Sequence, residues 1–217
     1  MLNSRQAEFI KAIQAASTRY RAADVFIDAC HCMACALWSP FAPDGDKVEK
    51  DFAATRDKYS AEEFAHFVTA FAVLQTALEE NRQEFLGECM TSLEATNKSN
   101  GQFLTPISIS SMMGRMVFSD PESEGVSTIA DPCCGAGVLL IEGAEAALRS
   151  GHKQHNLCIV AGDIDGRACD MCYVQLALLG YAGVVRHMDA LTNKVYREPM
   201  YTPGWYLHCF PLRGIAA

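Results

Sequence analysis

The sequence predicts an α/β chain: an all-helical domain over residues 1–98, then a domain of parallel strands and helices over residues 99–217. Three observations carry this. Up to residue 98, apolar residues recur at helical spacing with no strand-like run between them. Ser127 to Leu140 then reads as a short apolar strand, a glycine turn and a new helix. Two further β-branched and apolar runs, Leu157–Gly162 and Gly183–Leu191, alternate with helical spacing, the pattern of a buried parallel sheet.

The elements follow in order. Residues 3 to about 38 are expected to be helical, with Phe9, Ile10, Ile13 and Ala16 on one stripe, then Val25, Phe26, Ala29, Cys30, Met33 and Leu37. Ser39 to Gly45, with two prolines and a glycine, breaks the pattern as a loop. Ser60-Ala61-Glu62-Glu63 has the serine-to-glutamate spacing of a capping box and opens a helix with Phe64, Phe67, Phe71, Leu74 and Leu78 on its apolar stripe. A further helix is expected around Gln83 to Ala95, and another from Ile107 to Phe118 behind Pro106. Asp131-Pro132 ends the first strand, because proline brings no N–H to the ladder. The helix after the glycine turn runs to about Arg149. The second strand ends in Asp163-Ile164-Asp165, with a helix from Arg167 to Leu179, and the third strand ends in another acid, Asp189. A fourth strand is expected at Trp205 to Phe210.

The turn Asp131-Pro132-Cys133-Cys134-Gly135-Ala136-Gly137 offers an acid at a strand end, two glycines and a helix N-terminus, which together suit a nucleotide-like ligand. It is not a phosphate loop, since Val138-Leu139 stands where a Lys-Ser/Thr pair would be needed, and it lacks the three-glycine dinucleotide pattern. The net charge of −8 opposes free-standing nucleic-acid binding, so a DNA role would need a partner to supply the grip. Ten cysteines, with no apolar signal region at the start, indicate reduced thiols and a cytoplasmic location. No stretch is expected to be long enough to span a membrane. Cys30-His31-Cys32-Met33-Ala34-Cys35 has metal-ligand chemistry, but neighbouring helical residues point different ways, so core packing is expected there and no metal. Cys169 and Cys172 lie inside a helical pattern and are read the same way.

Asp131-Pro-Cys-Cys-Gly-Ala-Gly137 resembles the Asp-Pro-x-Cys-Gly-x-Gly loop of adenine-specific DNA methyltransferases, especially the modification subunits of type I restriction systems. Gly101-Gln-Phe-Leu-Thr-Pro106, upstream of it, resembles the Gly-x-Phe-x-Thr-Pro segment of the same family. The resemblance covers residues 99 to 191 and implies a partial Rossmann-like S-adenosylmethionine-dependent methyltransferase sheet. It also implies a site for S-adenosyl-L-methionine. Thr105 would lie nearest the methionine end, and Asp131, Cys133, Gly135 and Gly137 would form the loop. Asp163 would take the ribose hydroxyls, Ile164 would pack on adenine and Asp189 would reach the adenine amino group. Read without the resemblance, Thr105 is a simple helix cap before Pro106 and Asp165 the N-cap of the next helix.

The Asn-Pro-Pro-Tyr/Phe motif that grips the target base in this family does not follow: Asn193 precedes Lys194-Val195, and the family resemblance stops before it. Catalytic residues are therefore unassigned. Three readings stay open: an adenine DNA methyltransferase-like protein, a non-catalytic interaction or regulatory module on the same fold, or a methyltransferase with another acceptor. In the family's strand order the fourth strand would lie beside the first and leave an open edge. That edge is expected to be covered by the helical domain, by a second copy in a homodimer or by a restriction-modification subunit.

Overall fold

The computed structural model describes residues 2–93, 105, 107–117 and 125–208. The expected first helical stretch is two helices, α1 (Ser4–Ala16) and α2 (Ala22–Trp38). Asn3 and Gln6 close a capping box at the start of α1. Helix α3 (Gly45–Arg56) was not expected; it buries only Val48 and Thr55, so it carries almost no apolar stripe, and the Asp44 side chain caps it. Helix α4 (Ala61–Glu80) begins at the expected Ser60–Glu63 capping box. Helix α5 (Leu86–Ser92) is shorter than the expected span, whose last residues lie outside those described. Helix α6 (Ile107–Val117) follows, and α1 packs along α4.

The sheet is built from β1 (Ser127–Asp131), β2 (Leu157–Asp163) and β3 (Ala182–Asp189), parallel and side by side in that order. Helices α7 (Val138–Arg149) and α8 (Gly166–Leu178) are the crossovers between them. Two short strands, β4 (Lys194–Val195) and β5 (Met200–Tyr201), run antiparallel to β3. The chain is thus mixed α/β, with helices gathered before a partial Rossmann-like sheet.

Trp205 to His208 is not a strand. Helix α9 (Pro203–His208) occupies it, with proline in the first turn and the Trp205 N–H donating to Thr202 Oγ1 at 3.3 Å. It lies along β3, not beside β1. Gly204 allows this close seat: a Cβ there would stand 2.7 Å from the Tyr181 carbonyl oxygen. The aromatic spelling that suggested a strand serves to seal a sheet face instead.

Alternation along β2 separates two faces of the sheet. Leu157, Ile159 and Ala161 join the main core, which runs without interruption from Phe9 of α1 to Met200 of β5. Cys158 points the other way and packs with Ala182, Val160 and Trp205. Along β1, Thr128 and Ala130, in register with Cys158 and Val160, are exposed. Among the described residues β1 pairs with β2 alone.

One segment corrects the expectation about membrane-length stretches. Ala22–Phe41 is long and apolar enough to cross a bilayer by length and composition. Half of its apolar window is buried within the protein, and α2 packs directly on α8, with Val25, Phe26 and Ala29 fully buried.

Candidate functional site at the ends of the parallel strands

Asp131, Asp163 and Asp189 are the last residues of β1, β2 and β3. Because the three strands are parallel neighbours, all three acids lie on one edge of the sheet, with Asp163 in register with His187. This edge of an open parallel sheet is where such folds bind ligands.

The glycine turn is tied to that edge from several directions. Asp131 Oδ1 accepts the Cys133 N–H at 2.9 Å, closing a local turn after the strand. The Cys134 N–H donates to the Gly162 carbonyl at 2.8 Å, fastening the turn to the end of β2. Gly135, at φ +55°, donates its N–H to Asp163 Oδ2 at 2.8 Å. Gly137, at φ +98°, donates to the Cys134 carbonyl at 2.8 Å and forms the N-cap of α7. A Cβ on Gly137 would be strained by that backbone and would stand 3.0 Å from Cys172 Sγ. Cys134 is buried beneath the turn, and its contact with the Cys172 thiol, together with burial, holds its own thiol far above the ordinary range. Cys133 beside it is exposed.

Asp163 is 8% exposed, and its other oxygen, Oδ1, accepts the Asp165 N–H at 2.9 Å. Asp165 caps α8 by accepting the Arg167 N–H and is bridged by the Arg167 side chain. Ile164, between the two acids, is 63% exposed. A buried carboxylate beside an exposed aliphatic side chain is suited to a sugar hydroxyl pair and an apolar ring. Each carboxylate oxygen still has a free lone pair for a further donor. His187 Nε2 lies 3.1 Å from the Ile164 carbonyl and steadies that corner.

Asp189 belongs to the same edge, but its carboxylate faces its own loop. Oδ1 accepts the Leu191 N–H at 2.9 Å and Oδ2 accepts the Thr192 hydroxyl at 2.8 Å. That hydroxyl, first among the causes, holds the acid below its usual range. Thr105 is half-buried just ahead of α6. The rest of Gly101–Pro106 lies outside the described residues.

The sequence pattern of the N-6 DNA methylase family matches residues 85–202, more than half of the chain. The chain belongs to that family. No curated protein matches it, and no solved structure does. The N-6 DNA methylases are generally S-adenosylmethionine-dependent, so the chain is a DNA N6-adenine methyltransferase-like protein whose glycine turn, β1 to β3 and their crossover helices fall within the matched span.

Two residues that matter to this N-6 DNA methylase turn were not found from sequence. Gln175, fully buried on α8, donates from Nε2 to the Ala136 carbonyl at 2.8 Å. Glu84, 3% exposed, accepts the Gly87 N–H at 2.5 Å. The available signal at Gln175 was a lone amide on the apolar face formed with Cys172, Leu176 and Leu179. The Cys30–Cys35 cluster forms part of the core. His31 Nδ1 pairs with Asp170 at 2.8 Å, Nε2 lies 3.5 Å from Cys35 Sγ, and the Asp170 bond lifts His31 to about 10.

Proposed function

We propose that the chain binds S-adenosyl-L-methionine across the ends of β1 to β3, within an N6-adenine DNA methyltransferase-like protein of a restriction-modification system. The observation that carries the reading is the placement of three strand-ending acids on one edge, around a turn with two left-handed glycines. Asp163 takes the ribose hydroxyls, Ile164 covers one face of the adenine and Asp189 receives the adenine amino group once its loop turns toward the ligand. Thr105 serves the methionine end. Asp131 shapes the turn by holding the Cys133 N–H, and Gly135 and Gly137 let the main chain come close to the cofactor. The bound cofactor supplies a methyl group on a sulfonium sulfur, and the acceptor class is the adenine amino group in DNA. The acidic net charge of −8 supports a partner subunit as the source of the DNA grip. The exposed outer side of β1 supports an association with such a subunit or with a second copy.

Calorimetric titration with S-adenosylmethionine tests the reading, with Asp163→Asn as the matched control. Micromolar-range heat from the wild-type chain, weakened about tenfold or more in the variant, is the expected result. A wild-type chain that gives no heat rejects the cofactor assignment. Transfer of labelled methyl to DNA separates a methyltransferase from a binding module on the same fold.

A further inference from the structure

Gln175 spends its whole amide on two segments, residues 84–86 and the glycine turn. Its Oε1 accepts the N–H groups of Phe85 at 2.7 Å and Leu86 at 3.1 Å. Its Nε2 donates to the Ala136 carbonyl at 2.8 Å and to Glu84 Oε1 at 3.2 Å. The partners fix the amide's orientation, since two backbone donors require the oxygen and a carbonyl requires the nitrogen. The start of α5 also touches the glycine turn directly: a Cβ on Gly87 would stand 3.0 Å from Ala136 Cβ. The turn is therefore gripped from outside the sheet, by the last of the N-terminal helices through one buried side chain.

We propose that Gln175 is a positioning residue for the glycine turn, and that Glu84 is the point through which the N-terminal helices set the order of that turn. The proposal deepens the cofactor reading above and rests on it for its functional meaning. Fully buried, Glu84 is pushed up to about 7, burial being the main cause. The titratable groups set against it are Glu88 and Cys89 on α5, the helix that follows it; the group facing it from α8, the Gln175 amide, is neutral, as is the Ala136 carbonyl beyond that amide. An acid raised in the docked state favours docking while it is protonated. The grip on the turn therefore weakens as pH rises from the ordinary carboxylate range to about 7, and is level above that.

Hydrogen exchange on the full chain, resolved to single amides, tests this in Gln175→Leu and Glu84→Gln. The telling positions are Gly135 and Gly137, whose N–H groups bond to Asp163 and Cys134 and not to Gln175. In Gln175→Leu their exchange should quicken by about tenfold, with β2 and β3 amides unchanged and cofactor affinity reduced alongside. Faster exchange at Phe85 and Leu86 alone, or equally everywhere, overturns the positioning role. In the wild type the opening constant of the turn should rise about tenfold per pH unit between about 5 and 7. Glu84→Gln should show no such trend, and a variant that keeps it overturns the part assigned to Glu84. This second arm also decides the matter if Gln175→Leu does not fold. A wild type that takes up no cofactor rejects the function proposed above, while the exchange results still judge the positioning of the turn.

Discussion

The two ends of the strand-terminal edge are built differently. At the β1–β2 end, Gly135, Ala136 and Gly137 are held by Asp163, Gln175 and the Cys134 carbonyl, and Cys134 in turn by the Gly162 carbonyl, all of them buried. At the β3 end, Asp189 is held by bonds within two or three residues of itself, beside Leu191, which is 95% exposed. Buried polar groups must be paired in the folded state whether or not a ligand is present, whereas an exposed loop can trade its bonds for water. The glycine turn is thus fixed by folding, whereas the Asp189 loop is held only by its own local bonds.

The largest expected effect that would break this comparison comes from Glu84. Its carboxyl titrates in the ordinary range when unfolded and near 7 when folded, so stability is full at low pH and is lost as pH rises through that window. The loss approaches about 3 kcal/mol by neutral pH. Urea unfolding between about pH 4.5 and 7 should show a slope in the wild type that is shallower in Glu84→Gln by that amount. Next comes Gly137→Ala, which places a side chain at φ +98° against Cys172 and should cost about 1–3 kcal/mol by the same measurement. A cost near zero would mean that the turn is not held as described. Asp163→Ala should come third, because it leaves the Gly135 and Asp165 amides without their acceptor, at about 1–2 kcal/mol. The smallest effect on folding belongs to Asp189→Ala, which should leave the unfolding midpoint unchanged while weakening cofactor binding about tenfold. A large stability loss there would erase the contrast between the two ends.

Much of this was legible in the residues. The strand, glycine turn and helix of 127–149 follow from β-branched spelling, Asp-Pro and two glycines, all local signals. The Ser60–Glu63 cap is equally local. What escaped depends on packing. Helix α3 shows little apolar periodicity because it lies on the surface. Helix α9 looked like a strand because its aromatics were chosen for the sheet face they cover, and Thr202 supplies a cap that spelling alone did not single out. Gln175 joins Glu84 to Ala136 only after the segment leading into α5, α8 and the turn have come together, so no window of sequence contains their partnership.

Helix α2 carries a final consequence. Half of its apolar window is buried, with α8, α3 and α1 packed on it and His31 and Asp170 pinning α2 to α8 at 2.8 Å. A fragment cut between these partners would present that surface to solvent and should seek detergent or its own kind. Removing the C-terminal half ought therefore to yield an oily, self-associating piece, because the face of α2 that α8 covers in the intact chain would be bare.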